Sequence, residues 1–282
     1  MNWHAGCEVD MQLQINSLRG TTGMKGVILA GGLGSRLRPM TSVTNKHLLP
    51  IYDRPMIYYP IGSMLAAGID EILVVTGGEH AGDFLKLLKN GRHLGIRQLR
   101  FAYQEGEGGI ADALKLAEDF ADGGKICVVL GDNLLQYSIR DSADRFRAQR
   151  SGCQLLVKRV NDPQRFGVVR LEDGRLVEII EKPENPPSNL AVTGIYFYDS
   201  DVFKICETLR PSRRGELEIT DVNNAYIRRG DATVDFVSGW WTDAGTIPSL
   251  YRASRLVADG GANLKPEIHG SVRPTLDKGG DQ

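Results

Sequence analysis

From Lys25 onward, short apolar runs alternate with segments of helical periodicity, and this alternation constrains the fold more than any other feature of the chain. A strand covered on both faces reads as an unbroken apolar run, and helical crossovers are what join such strands in parallel. KGVILA (25–30), EILVVT (71–76) and KICVVLG (125–131) are runs of this kind, and RQLRFAY (97–103) reads as a further, more polar strand. Helices are expected between them, around Pro55 to Ala67, Glu79 to Lys89 and Gly109 to Phe120. In the last of these, Ile110, Ala113, Leu114 and Ala117 recur on one face, a stripe that reads as core and not as a cofactor contact.

A further helix near Ser138 to Gln149 precedes a strand-rich stretch: QLLVKRV (154–160), FGVVRLEDGRLVEIIEKP (166–183) and AVTGIYFYD (191–199). Glu172-Asp173-Gly174 breaks the middle run as a hairpin turn, with Gly174 supplying the positive φ. Connections therefore change from crossover to local hairpin, and the second half extends the same sheet. Helices at 200–209 and 217–229, a strand TVDFVS (233–238) and a helix near 246–258 complete the pattern. The expectation is one α/β domain over 24–258, since no repeat and no long linker divides it. Residues 1–23 lack a sustained apolar run and read as a disordered extension, with Met24 opening the folded chain. The Gly/Pro-rich residues 259–282 read as a loose tail.

Charge narrows the function classes. Lys and Arg number 34 against 35 Asp and Glu, a net charge of −1, so no global field favours nucleic acid or an anionic membrane. Any anion site must be local. No run approaches the roughly 18 apolar residues that span a bilayer, and a soluble, cytoplasmic protein is expected. Cys7, Cys127, Cys153 and Cys206 show no Cys-x-x-Cys spacing and read as reduced residues. The five histidines show no paired ligand spacing, His47 standing alone between Lys46 and Leu48, which argues against zinc.

The local anion site has a candidate in LAGGLGSRLRPMT (29–41), directly after the first strand. A glycine-rich turn at the C-terminal edge of a parallel sheet aims several backbone N–H groups at one point, which is how chains cradle phosphates. The dinucleotide fingerprint is absent, because Gly32-Leu33-Gly34 would need glycine where Leu37 stands, and no Gly-x-x-x-x-Gly-Lys-[Ser/Thr] occurs. A flexible turn would explain the glycines but not Arg36 and Arg38 beside them. Lys46 stands second in NKHLLPIYDRPMIYYP (45–60). A lone loop lysine is ordinarily solvated, yet beside a phosphate loop it becomes a cation fixed against an anionic reaction centre.

Two carboxylates follow. In VVLGDN (128–133), Asp132 ends an apolar strand, where it can meet a Mg²⁺ bridging phosphates or merely cap a turn; from this motif alone the two readings stand level. In GWWTDAGT (239–246), Trp240 and Trp241 read as core or rim aromatics, and Asp243 is the informative residue. Two separated aspartates and a phosphate cradle make up a metal-dependent transfer site.

The ordered series LAGGLGSRL, NKHLLPIYDRPMIYYP, LGDN, DPQRFGVV, EKP, SNLAVTGIYFYD, GELEITDVN and WWTDAGT closely resembles the glucose-1-phosphate thymidylyltransferases of the sugar nucleotidyltransferase superfamily, from Met24 to about Ala258. The resemblance implies a Rossmann-like mixed, mostly parallel sheet flanked by helices, of the nucleotide-diphospho-sugar transferase type. Nucleotide would bind in the half over about 24–135 and sugar phosphate in the half over about 136–258. It implies that Leu29, Gly31, Gly32, Gly34 and Ser35 wrap the nucleotide, with Arg36 and Lys46 on its phosphates. Gln104 would bond the pyrimidine edge, and Gly109 would let backbone approach the base. Asp132 and Asp243 would hold Mg²⁺. Gly167, Glu181 and Thr193 would bind the sugar, Lys182 and Arg214 its phosphate, and Arg36, Lys46, Asp132 and Lys182 form the implied catalytic set.

The implied reaction is attack of glucose-1-phosphate on the α-phosphorus of dTTP, giving dTDP-glucose and pyrophosphate, with no nucleic-acid or membrane partner. A UTP-dependent or broad-specificity hexose-1-phosphate enzyme would use the same site. A non-catalytic regulator on this fold would be expected to lack Arg36, Lys46 or an aspartate, and all are present. Departures from the family pattern are Ser35 for the usual Thr, and Asn45 and His47 for the Ser and Gln common around the lysine. The long C-terminal helices of tetrameric members are not matched, so monomer or dimer is expected in preference to tetramer.

Overall fold

The computed structural model describes residues 23–263. β1 (Lys25–Ala30) is apolar and buried on both faces, so it can lie only in the interior of a sheet. The glycine turn leads from it to a hairpin of β2 (Pro50–Ile51) and β3 (Arg54–Pro55) and to α1 (Tyr58–Ala66). β4 (Glu71–Gly77), α2 (Ala81–Leu88) and β5 (Gln98–Gln104) follow, then α3 (Ile110–Lys115), α4 (Glu118–Ala121) and β6 (Ile126–Leu130). β1 pairs in parallel with β4 on one edge and β6 on the other, and β4 pairs in parallel with β5. The order of the sheet thus reverses at β1, and the crevice outside the carboxyl ends of strands at such a reversal is where open α/β sheets bind ligands.

The second half adds β7 (Asn133–Leu135), α5 (Arg140–Ala148) and β8 (Cys153–Arg159), then β9 (Gly167–Glu172), β10 (Arg175–Glu181) and β11 (Leu190–Tyr198). Asp173 and Gly174, both at positive φ, turn β9 into β10 as the sequence predicts. α6 (Asp201–Thr208), α7 (Ile219–Arg229), β12 (Ala232–Phe236), β13 (Trp241–Asp243) and α8 (Ile247–Gly260) complete the chain. One nine-stranded sheet contains strands from both halves. β11 carries β8 along one edge, while its other edge is shared: Ala191 pairs with Val168 of β9, and from Ile195 onward it pairs with β6. The end of β6 and the start of β9 therefore face each other across Val192 to Gly194. That fork opens the sheet without exposing its core.

Alternation along the central strands divides the core into two layers. Val27, Leu29, Leu73, Val75, Ile126 and Val128 face one layer, while Ile28, Ala30, Ile72, Val74, Cys127 and Val129 face the other. A third cluster joins Leu37 of the glycine turn, Ile51, Tyr59, Leu134 and Ala253 of α8, so the last helix clamps the first loop. Cys127, Cys153 and Cys206 are free thiols buried in the core; Cys7 lies outside the described residues. Among the described residues no helix is long and apolar enough to cross a membrane.

Several boundaries differ from expectation. The helix over 109–120 is broken at Leu116 and Ala117, where Ala117 N–H bonds the Leu114 carbonyl and tightens the turn. β7 with β13, and β2 with β3, are pairs of strands two or three residues long, below what periodicity can reveal. α8 continues through Gly260, and Asn263 N–H bonds the Leu135 carbonyl, so the chain is ordered beyond 258. Residues 1–22 and 264–282, which hold most of the expected extension and tail, lie outside the described residues.

Asn133 ties three strands together at the fork. Its Oδ1 accepts from Gly194 N–H (3.0 Å) and Trp241 Nε1–H (2.7 Å), while its Nδ2 donates to Asp132 Oδ1 (3.1 Å). Truncation would orphan two donors, each costing about 1–3 kcal/mol when buried. Asn133→Ala is therefore expected to lose about 2–5 kcal/mol of unfolding free energy in urea titration; a loss under about 1 kcal/mol would show that the fork does not depend on this amide.

Candidate active site

The crevice at the sheet reversal holds a cavity of about 550 Å³, a volume suited to a nucleotide-sized ligand. Its first wall is the glycine turn. Gly34 sits at φ 68°, and a Cβ there would lie 2.7 Å from Lys46 Cβ, so only glycine lets the turn close onto the lysine. The Gly34 carbonyl accepts from Leu37 N–H (2.9 Å) and Thr41 Oγ1–H (2.8 Å), which folds the turn back on itself. Among the described residues, no backbone carbonyl takes the N–H groups of Gly32, Leu33 or Gly34. Those donors are left for an anion.

At the centre, Lys46 Nζ lies 2.6 Å from Asp132 Oδ2, both side chains being largely buried. Burial raises the Asp132 carboxyl more than any one neighbour lowers it, but the charge and hydrogen bond of Lys46, with smaller contributions from His47 and the Asn133 amide, together outweigh burial and hold the group at about 2. Asp132 is ionised at any physiological pH. Asp243, far away in sequence, is carried to the same place because β13 pairs with β7 in the register Asp243 with Asn133, and Ala244 N–H bonds the Asp132 carbonyl at 2.9 Å. Convergence can be read at Gly245: a Cβ there would stand 3.2 Å from Asp243 Oδ2, 3.3 Å from Asp132 Oδ2 and 3.3 Å from Arg36 Nη2. No more than the sum of the first two distances separates the carboxylate oxygens. Arg165 completes the charge balance, its Nη2 lying 3.1 Å from Asp243 Oδ1. Two carboxylates lining one cavity supply hard oxygen donors that suit an ion such as Mg²⁺, which takes one or two carboxylates and fills its shell with phosphate and water. Among the described residues no third His, Cys, Asp or Glu joins them.

One end of the cavity is formed by Gln104, the last residue of β5, with Gly31 and Gly109. Gly109 has φ 95°, and a Cβ would meet the Leu217 carbonyl at 2.6 Å, so glycine is required by conformation and by space. The other end carries Gly167, Glu181 and Lys182. Thr220 Oγ1 donates to Glu181 Oε2 (2.7 Å) and Lys182 Nζ lies 3.1 Å from Glu181 Oε1, which fixes an acceptor where a sugar hydroxyl could donate. Lys182 itself has φ 43°, a backbone conformation a side-chain-bearing residue adopts at a cost, and its N–H is held by the Phe166 carbonyl.

Leu29, Gly31, Gly32, Arg36, Lys46, Gln104, Gly109, Asp132, Gly167, Glu181, Lys182 and Asp243 all reach this one cavity. Thr193 does not, and its expected sugar contact is corrected: its side chain is fully buried, with Oγ1 donating to the Leu156 carbonyl at 2.9 Å. Strand alternation turns its neighbours Val192 and Gly194 to the cavity and Thr193 away. Gly34, Ser35 and Arg214 are not lining residues of this cavity, Arg214 being paired with Glu218 at 2.8 Å and 3.9 Å from Glu181. Ile110 and Ala113, expected purely as core, also line the cavity, because the stripe runs out into the end formed by Gln104 and Gly109. Arg165, Asn133, His47 and Trp241 were not singled out by sequence reasoning as site residues. For Asn133, His47 and Trp241 the available signal was nearness to Asp132, Lys46 and Asp243 in the motifs; Arg165 stands two residues before Gly167 in DPQRFGVV, far from all three.

The family model described as nucleotidyl transferase matches residues 25–260. A glucose-1-phosphate thymidylyltransferase of Actinoplanes sp. is 46% identical over 234 residues, 82% of this chain and 77% of that protein. One from Neisseria gonorrhoeae is 43% identical over 238 residues, covering 83% and 82%. A Bacillus anthracis protein provisionally assigned as a glucose-1-phosphate thymidylyltransferase, crystallised with sucrose, superposes with TM-score 0.83 at 48% identity over 88% of this chain and all of that one. A UDP-glucose pyrophosphorylase solved with UDP-glucose gives TM-score 0.73 at 25% identity, over 83% and 98%.

His47 gives the site its own pH signature. Its ring is 2% exposed, with Nδ1 2.8 Å from Asn45 Oδ1, and burial together with the adjacent Lys46 pushes it from 6.5 down to about 3, against the opposing pull of Asp132. The folded state thus refuses a proton that the unfolded chain takes up below pH 6.5. Its contribution to stability is complete above pH 6.5 and drains away as pH falls toward 3. His47→Gln should flatten the decline in unfolding free energy between pH 6.5 and 4, measured by urea titration; parallel curves for the two proteins would refute the burial of a neutral ring.

Proposed function

The chain belongs to the nucleotidyl transferase family, and from that premise we propose that it transfers a thymidylyl group from dTTP to glucose-1-phosphate, giving dTDP-glucose and pyrophosphate. The observation that carries this reading is the convergence of Arg36, Asp132 and Asp243 on one point beside Lys46, in a single cavity that Gln104 and Gly109 line together with Gly167, Glu181 and Lys182. Such an arrangement brings two anions together, which is what joining a triphosphate to a sugar phosphate demands. In the step itself, an oxygen of glucose-1-phosphate forms a bond to the α-phosphorus of dTTP as the bond to the bridging oxygen of the β-phosphate breaks. No general base is required, because the attacking phosphate oxygen is already ionised at neutral pH.

The roles of the residues follow from charge. The free N–H groups of the glycine turn and the Arg36 guanidinium hold the triphosphate, while Lys46 opposes the charge that builds at the α-phosphate. Lys182 lies where the incoming sugar phosphate would need a counter-charge, and Glu181 orients the sugar through its hydroxyls. Gly167 leaves room for that sugar, and Arg214 supports the same end from outside. Asp132 and Asp243 would hold Mg²⁺, which when bound offsets phosphate charge in the transition state. Uridylyl transfer would use the same residues, since thymine and uracil differ by one methyl, about 1–3 kcal/mol in an apolar pocket.

A pyrophosphate-release panel crossing dTTP, UTP, GTP and ATP with several hexose-1-phosphates tests the assignment. The highest kcat/KM is expected for dTTP with glucose-1-phosphate; a preference for ATP or GTP would overturn it. In the same assay Asp132→Asn should lower kcat by about 10²-fold or more, the scale of losing one preorganised electrostatic group, and wild-type turnover in Mg²⁺ would remove Asp132 from the mechanism.

A further inference from the structure

We propose that Asp112 is a positioning residue that locks the Gln104 amide with its oxygen toward the base, so that the site selects a nucleobase bearing an imino N–H, thymine or uracil, over cytosine. The proposal rests on the reading above only in placing the base at this end of the cavity. Gln104 is 6% exposed, and its Nε2 donates to the Gly109 carbonyl (3.0 Å) and to Asp112 Oδ2 (3.0 Å). These two acceptors consume both amide hydrogens. Rotating the amide by a half-turn would set Oε1 against two oxygens, one of them a carboxylate, so the orientation is decided by chemistry.

Oε1 is what remains. It stands 2.8 Å from the point a Cβ on Gly31 would occupy, and because Gly31 has no side chain the oxygen is uncovered in the cavity wall. Among the described residues no donor reaches it. A fixed acceptor there pairs with the N3–H of thymine or uracil and meets the lone pair on N3 of cytosine, a ring of the same size. Sites built around a hydrogen bond to the ligand discriminate far more strongly than sites that measure bulk.

Asp112 is itself held. It lies in the first turn of α3, its Oδ1 is 3.2 Å from Lys115 Nζ, and its carboxyl packs against Gly108, where a side chain would have to displace it. The turn is stitched to the facing loop, Leu217 N–H bonding the Gly108 carbonyl (2.8 Å) and Ala111 N–H the Leu217 carbonyl (3.1 Å). The same stitch therefore sets the two acceptors, Gly109 and Asp112, that orient the amide. Sequence spacing alone does not show this: Asp112 reads as an ordinary acidic residue at a helix start.

The test compares Asp112→Ala and the bulkier Asp112→Leu with wild type, in dTTP and CTP binding by calorimetry and in kcat/KM for each nucleotide with glucose-1-phosphate. Loss of one of two orienting hydrogen bonds should shrink the dTTP-to-CTP ratio by about tenfold or more, in nucleotide Kd and KM, with KM for glucose-1-phosphate unchanged. An unchanged ratio, an equal loss for both nucleotides in the folded variants, or a wild type that binds dTTP and CTP alike would overturn the proposal. Thermal melts identify which variants fold, and either one suffices. A wild type that binds dTTP selectively yet releases no pyrophosphate would count against the transferase reading alone, since the binding ratio still reads the lock.

Discussion

Two like-charged carboxylates brought close enough to share one point repel each other, and much of the molecule serves to keep them there. Asp132 and Asp243 cannot meet through their own attraction. Backbone does the work: the short pairing of β13 with β7 fixes their register, and the Ala244 amide bonds the Asp132 carbonyl. Side chains supply the offsetting charge, with Lys46 on Asp132, Arg165 on Asp243 and Arg36 facing the point between. Such partly buried pairs contribute little to net stability, because desolvation consumes most of the Coulombic gain. What they fix is geometry, and geometry is what a reaction between two anions requires.

The sheet explains where this cluster can exist. Reversal of strand order at β1 opens a crevice, and the fork where β11 passes from β9 to β6 deepens it. Asn133 spans the fork, bonding β11 through Gly194 and β13 through Trp241 while donating to the Asp132 carboxylate. One buried amide thus couples sheet, ribbon and site. Phe166 packs against Trp241 with ring centroids 5.1 Å apart, closing the wall at the start of β9.

The two ends of the cavity are coupled as well. Leu217 exchanges backbone bonds with the turn that orients Gln104, and its neighbours Glu216 and Glu218 are partners of Arg214, which in turn approaches Glu181. The Gln104 end and the Glu181 end of the cavity therefore share one loop.

Much of this was legible in the chain. Unbroken apolar runs at 25–30, 71–76 and 125–131 can be satisfied only as interior strands, and the glycine turn with Arg36 and Lys46 announces an anion site, because these are local consequences of side-chain size, charge and backbone freedom. Asp132 and Asp243 stood out in their motifs, yet one motif alone left a metal ligand and a turn cap level. Thr193 shows the limit: a one-residue alternation decides whether it faces ligand or core, and its hydroxyl went to Leu156. The burial of His47, the reach of Arg165 to Asp243, the Asn133 bridge and the hold of Asp112 on Gln104 depend on which distant segments become neighbours. Sequence determined the elements and the chemistry available, because those follow from each residue and its near neighbours; tertiary structure alone decided which charges and amides meet, because strand register and packing join segments that no local pattern links.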